Sequence, residues 1–201
     1  QEADDAGRIN SVPHQPQIAV DTHWDIGMHD STAIWFTQSV GRGEVHIIDY
    51  YENRAEGLPH YIQELHNRNY TYGVHYGPHD LEVKEMGTGK SRREAAQSLG
   101  LNFRIVPRLP IEDGIHAARM LLPRCWFDRD NCRQGLEALR HYHRAFNERT
   151  RAFRDKPVHD WSSHAADSLR YCAIAMQEMT TSDRPLQREA DMSYNPYNFA
   201  A

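Results

Sequence analysis

The residue pattern predicts an α/β domain, in which a mixed central β-sheet (an antiparallel meander plus parallel strands) is flanked by α-helices. Three observations carry that expectation. Between Gln17 and Tyr51 the chain holds three runs rich in β-branched and aromatic residues, separated only by short turns. Beyond them, helix-period segments alternate with short apolar runs, and strands joined through a helix pair in parallel. The remainder, up to about residue 179, is mostly helical in period.

In chain order, Ile18-Ala19-Val20 leads a first meander strand toward Asp25, and Gly27 supplies a turn. Residues 31–40 (STAIWFTQSV) form the second strand, Gly41-Arg42-Gly43 a further turn, and residues 44–51 (EVHIIDYY) the third. Residues 58–68 place Leu58, Tyr61, Ile62 and Leu65 at spacings of three and four, an amphipathic helix. Residues 72–76 are a strand ending at Gly77-Pro78. A helix over 91–99 follows, with Ser91 as N-cap and Gly100 as its stop. A strand is expected over 102–106, then helices over 111–122 (closed by Pro123), 132–146 and 163–179. Residues 1–16, polar and carrying Pro13 and Pro16, read as a linker or flexible N-terminus. Residues 17–179 form the folded domain, and the polar stretch 180–201 is a tail suited to docking on a partner.

At 201 residues the chain suits one domain with a substantial core. A hydrophobic share of 39% with ten Tyr and four Trp indicates a globular protein. No apolar run approaches the roughly 18 to 20 residues of a membrane span, so no membrane partner is expected. The start at Gln1, without Met or a signal segment, leads us to expect a piece of a longer polypeptide. Cys125, Cys132 and Cys172 lack C-x-x-C pairing and are expected as reduced, packed thiols. The net charge of −5 weighs against phosphate binding. Clustered carboxylates neutralised by metal ions would weaken that objection. So would the local run of Arg140, Arg144, Arg149, Arg151, Arg154 and Lys156, which either tracks a phosphate backbone or forms a solvated helix face.

Three acidic motifs stand at expected element boundaries: Trp24-Asp25-Ile26-Gly27, Gly77-Pro78-His79-Asp80, and the run from His159 through Asp167. Carboxylates gathered by folding suit magnesium or manganese, which take hard oxygen ligands. Two such ions about 3.5 to 4 Å apart support phosphodiester hydrolysis, so the residues point to a metal-dependent nuclease. Each motif has a plainer reading. Asp30 could shape a turn, Asp80 could form an Asx-turn or cap a helix, and Glu82 and Glu85 are nearby substitutes for it. Asp21 reads as structural. His164 and Asp167, three apart at the start of the last helix, share a face, with Ser162 or Ser163 as the cap. His159 and Asp160 could orient the ligands, while a zinc site of His159, Asp160 and His164 is a rival. Gly87-Thr88-Gly89-Lys90-Ser91 ends like a phosphate loop, but Lys84 stands where that pattern needs glycine. A loop over the substrate, with Lys84, Lys90, Arg92 and Arg93 touching phosphates, is the better reading.

Taken in order, Trp24-Asp25-Ile26-Gly27 with Asp30-Ser31-Thr32-Ala33-Ile34, Pro78-His79-Asp80, and His159-Asp160-Trp161-Ser162-Ser163-His164-Ala165-Ala166-Asp167-Ser168-Leu169-Arg170-Tyr171 resemble the C-terminal nuclease domain of the large terminase subunit of tailed bacteriophages. The resemblance runs from about residue 18 to 176 and implies an RNase H-like fold. It implies an endonuclease cutting concatemeric double-stranded viral DNA with two Mg2+ or Mn2+ ions, in the cytoplasm of the infected host. Asp25, Asp80 and Asp167 would be the catalytic acids and metal ligands, with His164 and Asp160 as additional candidates. Arg144 and Arg151 join the loop cations as DNA contacts. An N-terminal ATPase of the same polypeptide, a small terminase subunit and a portal protein would be partners. Ala165 and Ala166 stand where the family often has a further acid, which leaves the second ion's ligands open. A junction resolvase of the same fold, told apart by preference for branched DNA, and a metal-free docking module are the alternatives.

Overall fold

The computed structural model describes residues 2–27, 30–41, 43–87 and 89–181. Its centre is a seven-stranded sheet in the order β1-β7-β4-β3-β2-β5-β6. Strands β2 (Val20–Ile26), β3 (Ser31–Ser39) and β4 (Val45–Arg54) form the expected antiparallel meander. On one side β5 (Tyr72–Gly77) and β6 (Phe103–Ile105) add in parallel. On the other, β7 (Cys125–Asp128) pairs parallel with β4, and β1 (Ile9–Asn10) pairs parallel with β7.

Alternation along β3 divides the core. Ile34 and Phe36 face α2 (Leu58–Arg68) and α3 (Arg92–Ser98), where Trp24, Tyr61, Leu65, Leu101 and Phe103 pack with them. Ala33 and Trp35 face α4 (Ile111–Leu121), α5 (Arg133–His141) and α6 (Ser163–Thr181), in a cluster with Ile47, Phe127, Leu136 and Leu169. Helix α6 is fastened to this face by two buried bonds: Trp35 Nε1 donates to the Ala165 carbonyl at 2.9 Å, and Ser168 Oγ donates to the His23 carbonyl at 2.7 Å. Helix α3 starts as the sequence indicates. Ser91 and Glu94 form a reciprocal capping box, and Gly100 turns the chain away at φ +85°. All three cysteines are free and buried.

Several elements depart from the sequence expectation. The stretch 1–16 carries the four-residue helix α1 (Glu2–Asp5) and β1, and Val12 is buried. The segment 125–128 is strand β7, where four residues are too few to show a period. The helix expected over 132–146 ends at His141, and a small hairpin of β8 (Phe146–Asn147) and β9 (Ala152–Phe153) follows. Phe146, at helical spacing from Tyr142, instead packs on Phe153 across the hairpin, with ring centroids 5.3 Å apart. The basic run is therefore mostly hairpin, and Arg151 bends it at φ +47°. Helix α6 continues to Thr181, and residues 182–201 of the expected tail lie outside the described residues, as do Thr88 and Arg42. No described helix is long and apolar enough to cross a membrane.

The buried end of β5 is closely fitted. A Cβ on Gly77 would come 2.3 Å from Leu81 Cδ1 and 3.0 Å from Phe103 Cδ1. Gly77→Ala is expected to destabilise the fold by about 1 to 3 kcal/mol through overpacking, read as a lowered urea midpoint, because Leu81 lies in the turn that also carries Asp80.

Candidate metal centre

The strand register places the first acid. Asp25 pairs with Ala33, and Ala33 pairs with Glu52, so Asp25 and Glu52 occupy one row on the α6 face near the C-terminal end of β2. Asp80 follows the C-terminal end of the parallel neighbour β5, on a 3-10 turn spanning His79–Glu82. Ligand-binding groups in open α/β sheets gather at such strand ends. The third motif arrives on the first turns of α6, where His164, Asp167 and Tyr171 recur at spacings of three and four and share one side.

His164 joins two of these segments. Its Nδ1 lies 3.3 Å from Asp25 Oδ2 and its Nε2 lies 3.2 Å from Asp30 Oδ1. The Asp25 hydrogen bond raises the imidazole's affinity for a proton, burial opposes this, and the charges of Asp25, Asp30 and Glu52 add to it. Asp25 is pushed up by burial, against the His164 hydrogen bond, and the Asp167 charge pushes it further. Tyr171 is raised to about 12 by burial and then by the Asp25, Asp167 and Asp80 charges, with Arg170 opposing them. Asp80 is the outermost, its side chain 66% exposed and 3.0 Å from His79 Nε2.

Other candidates are placed differently. Asp160 is turned toward its own helix start: Oδ1 accepts from the Ser162 N–H at 2.9 Å and from Ser162 Oγ at 2.6 Å. Those bonds hold its carboxyl below the usual range and make it the residue that shapes the entry to α6. His159 touches Ser163 Oγ at 3.0 Å and lies 3.8 Å from Asp30 Oδ2. Asp21 accepts the Val74 N–H at 2.6 Å and ties β2 to β5, as its structural reading expects. Of the expected DNA contacts, Arg93 pairs with Glu82 at 2.7 Å, Arg92 with Glu85 at 3.6 Å, and Arg144 with Glu112. Lys84 and Lys90 lie in the loop after the Asp80 turn, and Arg151 lies in the hairpin turn. Surface pairs of this kind contribute about 0 to 1 kcal/mol.

Sequence reasoning missed Glu52 and gave Tyr171 no role. Glu52 accepts from Tyr50 Oη at 2.5 Å and adds a carboxylate beside His164. Its signal was the meander itself, since register alone aligns position 52 with position 25. A cavity of about 900 Å³ opens elsewhere, between α4, α5 and the hairpin, with Ile9, Phe127, Leu139 and Leu169 in its lining, and none of the three acids lines it.

The candidate donors are of the type a hard cation takes: a partly buried carboxylate at Asp25, a second at Asp167, and a third, exposed, at Asp80. Among the described residues no three His, Cys, Asp or Glu side chains converge into a ready-made cage, zinc's compact tetrahedral set included. The acids fit a divalent ion in donor type.

The chain matches no protein-family model and no curated protein. Solved structures do share its fold. The nuclease domain of the P22 large terminase superposes with a TM-score of 0.61 at 15% identity, over 85% of this chain and 89% of that one. The nuclease domain of the bacteriophage SPP1 large terminase with bound Mn does so at 0.56 and 14%, over 89% and 92%. The large terminase of a thermophilic bacteriophage matches at 0.63 and 14%, over 84% of this chain and 42% of its own, so the chain spans less than half that protein. At these identities the likeness is one of fold, and the RNase H-like mixed sheet expected from the sequence is the fold observed.

Proposed function

We propose, from a fold shared with large-terminase nuclease domains, that this chain is the metal-dependent endonuclease domain of a phage DNA-packaging terminase. The observation that supports the proposal is geometric: Asp25 near the C-terminal end of β2 meets His164 of α6 at 3.3 Å, Asp167 lies three residues further along that helix, and Asp80 follows the C-terminal end of the parallel neighbour β5. Two magnesium or manganese ions would supply activation of a water and charge stabilisation of the leaving oxygen in phosphodiester hydrolysis. Fold neighbours crystallised with magnesium, cobalt and manganese support the use of a divalent ion.

In this reading Asp25, Asp80 and Asp167 would be the residues that hold the ions. His164, already bonded to Asp25, is placed to fix that carboxylate's orientation and to take or return a proton beside it. The Asp25 hydrogen bond, and after it the charges of Asp25, Asp30 and Glu52, raise the imidazole's proton affinity against the effect of burial. Lys84, Lys90, Arg92 and Arg93 flank the Asp80 turn on the loop and on α3, where a duplex backbone approaching that acid would meet them. Arg144 and Arg151 would extend this contact. Double-stranded DNA is the substrate, an ATPase of the same polypeptide, the small terminase subunit and the portal protein are partners, and the host cytoplasm is the setting.

The test is cleavage of supercoiled plasmid with magnesium, manganese or EDTA. Nicking and linearisation with either metal, and none in EDTA, is the expected result. Equal cutting in EDTA would overturn the metal assignment. Strong preference for a four-way junction over plasmid would instead indicate a resolvase.

A further inference from the structure

Arg170 lies behind the acid it touches. One turn along α6 from Asp167, its Nη2 donates to Asp167 Oδ1 at 2.8 Å. The stem crosses α4 at Gly114, where an added Cβ would stand 2.4 Å from both Cγ and Cδ of Arg170. A helix-interior glycine costs about 1 kcal/mol relative to alanine, and here the bare backbone is what lets a guanidinium pass buried between two helices. The guanidinium carbon lies 5.1 Å from the Tyr171 ring centroid, inside cation–π range. Its Nε is buried without a hydrogen-bond partner among the described residues. Leaving a buried donor unpaired costs about 1 to 3 kcal/mol, so the side chain is not laid down to satisfy its own donors. Its placement is set at the far end, where it takes one oxygen of Asp167.

We propose that Arg170 is a positioning residue for Asp167: passing over Gly114, it occupies Oδ1 and fixes the carboxylate so that Oδ2 is the oxygen offered to a divalent cation. The inference rests on the nuclease reading and names the residue that sets how well the third acid holds its ion. Arg170 also places a positive charge beside Asp167 and Tyr171.

The test is the Mn2+ dissociation constant by titration calorimetry for the parent, Arg170→Gln, Arg170→Lys and Gly114→Ala, with each variant's melting temperature in EDTA. Removing a partner that orients a ligating carboxylate weakens metal affinity about 10- to 100-fold, and that is the expected loss for Arg170→Gln and for Gly114→Ala, which keeps every charge but displaces the stem. Arg170→Lys, a point charge without the planar fork, is expected to recover only part of it. In an Asp167→Asn background Arg170→Gln should have no further effect, a dependence that mere packing would not produce. Parent-like Mn2+ affinity in Arg170→Gln, or an equal loss with Asp167 already replaced, overturns the inference. A parent chain that binds no Mn2+ overturns the metal reading and this inference with it.

Discussion

Asp25→Asn is expected to abolish metal-dependent plasmid cleavage while leaving the protein slightly more stable. Removing a carboxylate that would hold the ions forfeits several kcal/mol of transition-state stabilisation, roughly a thousandfold or more in rate. The gain in stability follows from the same burial. Asp25 has its proton affinity raised in the folded state, chiefly by desolvation and further by Asp167. A carboxyl whose folded pKa lies above its unfolded value destabilises the native state at neutral pH, where it must ionise in a site that disfavours the charge. The neutral amide keeps the shape and removes that penalty, so in EDTA the midpoint should rise by about 2 to 4 °C for each kcal/mol relieved. Both readouts matter: lost cleavage with a collapsed melting temperature would mark Asp25 as a folding residue, and normal cleavage would remove it from the site.

The second large effect is acid sensitivity centred on β2 and β5. His23 and His75 are 0% and 1% exposed, and burial pushes both down to about 3. Each makes one bond, His23 Nε2 to Thr37 Oγ1 at 3.0 Å and His75 Nδ1 to Thr22 Oγ1 at 2.7 Å. The other nitrogen of each is buried and has no hydrogen-bond partner among the described residues. The native state therefore holds both rings neutral, while the unfolded chain protonates them below about pH 6.5. Stability is full above that value and falls as pH drops toward 3, by about 1.4 kcal/mol per unit for each ring. Between pH 7 and pH 5 the two together remove about 4 kcal/mol. His164 works the other way: its raised folded affinity adds stability below its unfolded pKa and loses it as pH rises, so it offsets part of the loss. Urea midpoints at pH 7 and pH 5 check this, with His23→Gln expected to halve the difference. A midpoint independent of pH over that interval would show the rings already protonated or reached by water.

Much of this architecture was legible in the residues, for identifiable reasons. Helix α2 begins and ends where its apolar spacing does, and Ser91, Glu94 and Gly100 bound α3 by local bonds that short sequence can encode. The meander was readable because β3 and β4 are nine and ten residues long, enough for composition to speak. Strands β1 and β7 were not, because two and four residues carry no period and depend on each other for pairing. The hairpin after α5 was hidden by Tyr142 and Phe146, which fit a helical spacing until Phe153 offers a partner across a turn. Among the candidate site residues, the three acids stood out by their position at element ends. Glu52 did not, since its place beside Asp25 exists only through the register of two strand pairs. Asp160, a candidate for orienting or adding to the ligands, has one carboxylate oxygen engaged by Ser162 at the start of α6, a detail of side-chain direction that sequence does not carry.

Helix α6 is clasped to strands that precede it by well over a hundred residues: Trp35 reaches Ala165, His164 meets Asp25, and Ser168 holds the His23 carbonyl. During synthesis the first two acids emerge long before the third, and no local contact can stand in for it. A ribosome-bound chain, or one truncated before residue 163, therefore lacks His164, Asp167 and the buried bonds that hold α6 to the sheet. The end of the sheet that carries Asp25 is closed only when α6 docks on it, so that region takes its final form after nearly all of the described chain has been made.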